Sequence, residues 1–117
     1  MKKVYYLSTC DTCKRILKEL NFDGERIDIK SVPLTIDQID DLAEKTGSYV
    51  SLFSKVARKY KELGLKEKNL QEEDYRFYLQ EHYTFLKRPV FILDGKVFVG
   101  NSKKNVAAVQ EQLAKMS

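Results

Sequence analysis

Near its C-terminal end the chain reads Val90-Phe91-Ile92-Leu93-Asp94-Gly95-Lys96-Val97-Phe98-Val99. Two β-rich runs joined by Asp-Gly are the strongest short hairpin signal, because a tight turn between twisted strands needs residues that accept positive φ. An antiparallel hairpin is therefore expected here. Ser102 then caps a final helix, with Val106, Val109 and Leu113 facing inward. At the other end, Val4-Tyr5-Tyr6-Leu7 is apolar on both faces, as in a buried parallel strand. Residues 12–20 read as a helix on Ile16, Leu17 and Leu20 that ends near Asn21. A short second strand over residues 25–29 is entered through Asp23-Gly24, which makes a βαβ unit.

The middle of the chain is helical in pattern. Pro33 breaks the chain, and Thr35 with Gln38 forms a capping-box pair ahead of Ile36, Ile39, Leu42 and Ala43. Gly47 is the stop. Residues 49–63 continue helically, with Leu52, Phe53, Val56, Ala57, Tyr60 and Leu63 as the apolar face and Gly64 as the stop. A further helix covers about 71–82, facing inward with Tyr75, Tyr78 and Leu79. Without the middle helices the outline is the thioredoxin plan. The expectation is an α/β fold with a mixed four-stranded sheet, β-α-β then β-β-α. It forms a single domain over 1–117, with a core of about 1–33 and 87–117 and a helical insertion of about 34–86.

Composition excludes several classes. The chain has 117 residues, 43% hydrophobic and 32% charged, with a net charge of +4. That is the balance of one soluble domain. The cluster Lys55, Arg58, Lys59, Lys61, Lys66 and Lys68 is interspersed or followed by Glu62, Glu67, Glu72, Glu73 and Asp74, so it reads as a solvated face rather than a nucleic-acid stripe. No apolar run approaches a membrane span, and the run after Lys2 and Lys3 is too short for a signal peptide. A cytoplasmic monomer is expected, with no membrane and no direct nucleic-acid partner. In that compartment cysteine pairs are more often catalytic or redox-sensing than structural.

Both cysteines fall in Cys10-Asp11-Thr12-Cys13, where the first strand hands over to the first helix. Unpaired N–H groups and a partial positive charge at a helix N-terminus favour the thiolate, the reactive form. Cys10 is placed at the helix entrance and Cys13 one turn inward, so Cys10 is the nucleophile and Cys13 the resolving partner. Inert thiols, a structural disulfide and half a zinc site are the competing readings. Zinc lacks a second ligand pair, since His82 is the only other Cys or His. Lys14 and Arg15 add positive charge, Thr12 has a hydroxyl to offer Cys10, and Asp11 is placed either to raise the Cys10 pKa or to cap the helix. Arg88-Pro89 stands just before the hairpin, where a proline can hold a cis bond. In a thioredoxin-like layout that bend faces the cysteines. Cys10, Cys13 and Arg88 are thus the expected catalytic residues, and Thr12, Lys14 and Pro89 the expected substrate-binding ones. No metal is expected. His82 reads as a structural residue.

The segments Tyr6-Leu7-Ser8-Thr9-Cys10-Asp11-Thr12-Cys13-Lys14, Tyr60-Lys61-Glu62-Leu63-Gly64-Leu65, Lys87-Arg88-Pro89-Val90 and Val99-Gly100-Asn101-Ser102 resemble the glutaredoxin-linked arsenate reductases and their Spx-type relatives. The resemblance covers nearly the whole chain and implies a thioredoxin-like fold with a helical insertion. It implies that Cys10 attacks the substrate, with no bound cofactor and with glutathione and glutaredoxin as external reductants. It implies three arginines around an oxyanion. Arg88 matches the one before a cis proline, while Ser54 and Gly100 stand where the other two belong. The Cys10–Cys13 pair is similar to that of Spx-type regulators, which sense oxidation and bind the C-terminal domain of the RNA polymerase α subunit through a glycine near Gly47. The reading is a thiol-dependent reductase of an oxyanion or disulfide, with a redox-sensing regulator of RNA polymerase as the alternative.

Overall fold

The computed structural model describes all of residues 1–117. The elements in chain order are β1 (Lys2–Tyr6), α1 (Asp11–Glu19), β2 (Glu25–Asp28), α2 (Ile36–Thr46), α3 (Arg58–Glu62), α4 (Glu72–Glu81), β3 (Val90–Leu93), β4 (Lys96–Val99) and α5 (Lys103–Met116). Three short 3-10 turns stand at Val50–Leu52, Leu65–Glu67 and Tyr83–Phe85. Backbone proximity divides the chain into two compact units, residues 1–32 with 88–117, and residues 33–87.

The first unit holds the whole sheet, in the order β2-β1-β3-β4. β1 pairs parallel with β2 and antiparallel with β3, and β3 pairs antiparallel with β4. Parallel pairing of β1 and β2 requires a crossover, which α1 provides. The hairpin turn is the expected one: Asp94 and Gly95 sit at φ 48° and 81°. Val4 of β1 lies opposite Phe91 of β3. On that face they join Leu93, Ile16 and Leu17 of α1, Phe22, and Val109 of α5 in one buried cluster. Each such side chain withdrawn from water contributes roughly 1.5–3 kcal/mol. Phe22 meets Phe91 edge to face at 5.4 Å. α5 is capped by Ser102, whose Oγ accepts from Asn105 N at 3.1 Å.

Gly24, at the entrance to β2, has no room for a side chain. A Cβ there would stand 2.5 Å from Lys2 Cβ, 2.6 Å from Lys2 O and 2.6 Å from the Phe22 ring. Two of those neighbours belong to β1 and cannot swing away. Gly24→Ala is expected to cost about 1–3 kcal/mol through overpacking, read as a lower midpoint in urea unfolding. An unchanged midpoint would contradict this packing.

In the second unit α2 begins with the expected capping box. Thr35 Oγ1 accepts from Gln38 N at 3.1 Å, and Gln38 Oε1 accepts from Thr35 N at 2.9 Å. α2 stops at Gly47, in the left-handed region at φ 100°. Arg76 of α4 grips Asp40 of α2 with two hydrogen bonds of 2.8 and 3.1 Å, and Tyr49 Oη donates a third at 2.6 Å. The Arg76 bonds lead in holding the Asp40 carboxyl down to about 2.

The expected helix over 49–63 does not form. One 3-10 turn at Val50–Leu52 ends in an extended Phe53, and α3 spans five residues only. Long-range pairing prevails over local periodicity. Phe53 bridges Leu86, Ser54 N donates to Phe85 O at 2.7 Å, and Lys87 N donates to Leu52 O at 2.8 Å. Phe53 is buried, stacked on Phe85 and edge-on to Tyr75, both at 4.9 Å. Val56 is consequently 95% exposed and Leu63 is exposed, so neither belongs to a core face. Leu65 is buried in their stead. His82 is half-buried and serves its own turn, with Nδ1 2.6 Å from Thr84 Oγ1 and accepting from Thr84 N.

Candidate active site

The first unit alone assembles the site. β1 ends at Tyr6, and a tight turn follows in which Cys10 N donates to Leu7 O at 3.1 Å. Ser8 Oγ, in that turn, donates to an Asp28 carboxylate oxygen at 2.6 Å. Cys10 is extended (φ −92°, ψ 111°) and stands immediately before α1. It is the N-cap. Its Sγ accepts from Cys13 N at 3.4 Å, as a serine or aspartate oxygen does at an ordinary helix start. The expectation that Asp11 caps the helix is thereby corrected: Asp11 is the first helical residue, exposed, and pairs with Lys14 at 3.7 Å.

The two sulfurs are poised in opposite senses. Cys10 is half-exposed, whereas Cys13 has no exposed surface. Burial by itself pushes the Cys10 thiol up. Hydrogen bonds from the Cys13 backbone and thiol, the Arg88 charge and the Thr12 N–H outweigh it, and the Cys10 thiol lies below its ordinary value. Each of these groups stabilises negative sulfur. Burial pushes the Cys13 thiol up to about 11, assisted by its hydrogen bond to Cys10 and by the charge there. A hydrogen bond from the Leu7 backbone and the Arg88 charge act the other way on Cys13, and do not overcome burial.

Arg88 precedes Pro89 through a cis peptide bond. Pro89 is buried at the entrance to β3. Its carbonyl accepts from Gly100 N at 2.9 Å, and the Gly100 carbonyl accepts from Asn105 Nδ2 at 2.8 Å. This short relay ties the Arg88-Pro89 corner to the first turn of α5. Asn105 is absent from the residues singled out in the sequence. The signal for it lies beside Val99-Gly100-Asn101-Ser102, in an amide three residues inside a serine-capped helix. Gly100 itself is left-handed at φ 101°, a backbone that disfavours any side chain, arginine included.

Of the expected site residues, Cys10, Cys13 and Arg88 come together, with Pro89 fixing the backbone beside Arg88. Thr12 contributes its backbone N–H to Cys10. Lys14 is exposed and engaged with Asp11.

A sequence model of the ArsC family matches residues 5–109, which include all of these positions. The chain belongs to the ArsC family. One ArsC-type relative, an arsenate reductase of Neisseria meningitidis serogroup A, is 26% identical over 112 residues, covering 92% of this chain and 96% of its own. Among solved structures, an arsenate reductase from Vibrio cholerae superposes with a TM-score of 0.77 at 18% identity, covering 92% of this chain and 96% of that one, a likeness of fold alone. A Staphylococcus aureus protein reaches a TM-score of 0.73 at 29% identity, covering 92% and 97%. The ArsC-family fold is the thioredoxin-like sheet described above.

Proposed function

We propose that the chain is a thiol-dependent reductase in which Cys10 is the attacking atom. The observation that carries this reading is the seating of two sulfurs on one helical turn, one capping the helix mouth, where N–H groups and the Arg88 charge favour its thiolate, and one fully buried beneath it. The favoured substrate is a mixed disulfide carrying glutathione. The Cys10 thiolate attacks the glutathione sulfur, the substrate sulfur leaves with the electron pair of the broken S–S bond, and it takes a proton from water. Arg88 and the N–H groups at the head of α1 hold the negative charge before and after attack. Arsenate, the substrate named for the Neisseria relative, is the lesser candidate here. An oxyanion wants a clamp of guanidinium groups, and Gly100 provides none at its position.

Two routes complete the cycle. A second glutathione thiolate attacks the Cys10-bound glutathione, releasing oxidised glutathione and the Cys10 thiolate. Alternatively Cys13 gives up its proton and attacks the Cys10 sulfur, breaking the bond to glutathione, which leaves as a thiolate and takes up that proton; the Cys10–Cys13 disulfide is then reduced by a glutaredoxin-type dithiol. Bond formation at Cys10 removes two of the influences that hold the proton on Cys13, the hydrogen bond and the charge of Cys10. The two that favour its thiolate, Arg88 and the Leu7 backbone, stay in place. The Cys13 proton is thus held less tightly once Cys10 is bonded, while burial, the largest influence, stays in place.

The test supplies glutathione, glutathione reductase and NADPH, with a glutathionylated peptide and no glutaredoxin in one arm and arsenate with glutaredoxin in another, each read as NADPH consumption above a control without the protein. NADPH consumption is expected in the first arm. Consumption in the arsenate arm alone would reassign the substrate, and consumption in neither would reject the reductase.

A second reading is favoured by the double use of Cys10, which is both a redox sulfur and the cap of α1. Oxidation to the disulfide takes the cap sulfur into a new bond, so the redox state is felt at the start of the helix. The protein then acts as a switch whose partner is the C-terminal domain of the RNA polymerase α subunit. Recovery of that subunit from oxidised but not reduced lysate, with no turnover in either arm above, would establish the switch.

A further inference from the structure

The turn that delivers Cys10 to the helix mouth has an exposed corner. Ser8 and Thr9 occupy its two central positions and both side chains face solvent. A four-residue turn closed by one hydrogen bond of 3.1 Å would not by itself hold a sulfur in place. Ser8, however, is fastened to Asp28 by a short hydrogen bond of 2.6 Å, across 20 residues of sequence.

Asp28 is itself held on every side. It ends β2 in register with Tyr6 of β1, and Ile29 N donates to Tyr6 O at 3.0 Å. Its other carboxylate oxygen accepts from Lys30 N at 3.1 Å. Its backbone carbonyl accepts from Ser31 N at 3.1 Å and Val32 N at 2.8 Å. The Ser8 hydrogen bond leads in holding its carboxyl below the usual carboxylate range, so the carboxylate is charged wherever a thiol titrates. A hydroxyl bonded to a charged acceptor is about twice as strong as a neutral pair.

We propose that Asp28 is a positioning residue for Cys10, acting through the Ser8 hydroxyl to hold the Leu7–Cys10 turn so that Sγ meets the N–H groups of α1. The proposal rests on Cys10 being the acidified sulfur of the reading above. It also makes a distinction of sign. A bare carboxylate near a thiol would raise the thiol pKa by repulsion, so removing it would lower that pKa. A tether has the opposite consequence: losing it lets the sulfur drift from its donors, and the pKa rises.

The test measures the rate of Cys10 alkylation by iodoacetamide against pH in the Cys13→Ser background, where Cys10 is the single thiol. Ser8→Ala and Asp28→Ala are compared with Ser8→Thr, which keeps the hydroxyl. Ser8→Ala removes the hydroxyl bond alone and leaves the Asp28 contacts with the Ser8 and Lys30 backbone N–H groups intact, so it remains informative if Asp28→Ala disturbs the β2 end. Both alanine variants are expected to move the profile to higher pH and slow alkylation at pH 7 by roughly three- to tenfold. Ser8→Thr is expected to keep the parent profile, and the double alanine variant to be no slower than the worse single one. An unmoved profile in folded Ser8→Ala would overturn the proposal, as would a shift to lower pH in Asp28→Ala. Either result leaves the Cys10 reading standing. A Cys10 with no acid shift in the unsubstituted chain, resolved from Cys13 by peptide mass, would overturn both.

Discussion

Cys10→Ser is expected to abolish turnover while leaving the protein folded. A serine hydroxyl is a far weaker nucleophile than a thiolate at neutral pH, and the loss in kcat/KM is expected to be roughly 10³-fold or more. The fold should not suffer, for a reason specific to this site. Cys10 caps α1 through its side chain, and serine is among the preferred capping residues. Stability within about 0.5 kcal/mol of the parent, or a small gain, is expected in urea unfolding. Turnover assays and unfolding curves on the same preparation check the pair of outcomes. A Cys10→Ser protein that kept a tenth of its turnover would remove Cys10 from the chemistry. A dead protein that was also unfolded would leave the loss to the fold and would contradict the capping account.

Arg88→Gln is expected to raise the Cys10 pKa. The Arg88 cation favours the charged form of the sulfur. Without it the thiolate is less stable and the proton is held more tightly. In the parent, reactivity rises with pH through a value below that of an ordinary thiol and then levels. In Arg88→Gln the same rise is displaced to higher pH. Turnover at pH 7 is expected to fall on the order of tenfold and to recover partly at pH 9. Arg88→Lys should fall between the two, since lysine supplies the charge without the planar fork. The pH profile of kcat/KM reads this directly. An equal loss at every pH would assign Arg88 to substrate binding rather than to the sulfur.

Much of the fold is legible because its signals are local. Asp94-Gly95 is a turn before any tertiary contact forms, since few other residue pairs tolerate two positive φ values. Thr35 and Gln38 satisfy each other's backbone over four residues. The cysteine pair declares itself by standing between a strand and a helix. The helix expected over 49–63 fails for the complementary reason. Its periodicity is real, but Leu52 and Ser54 find hydrogen-bonding partners at Lys87 and Phe85, more than 30 residues away across the Phe53–Leu86 bridge, and no local pattern carries that pairing. Within the site, the capping role of Cys10 was hidden by Asp11, which has the better side chain for capping but sits one position too far along. Ser8–Asp28 and Asn105–Gly100 are likewise long-range or turn-borne bonds. They become visible only once β2 and α5 are set beside the loops they hold.

The most direct test of the account follows both sulfurs at once. The folded, reduced protein is alkylated for a short pulse over a range of pH, and the modification at each cysteine is resolved by peptide mass. The account expects Cys10 to titrate below the ordinary thiol value of about 8.5, and Cys13 to stay unreactive until about pH 11. Two cysteines that titrate together near 8.5, or a Cys13 more reactive than Cys10 at pH 7, would contradict it.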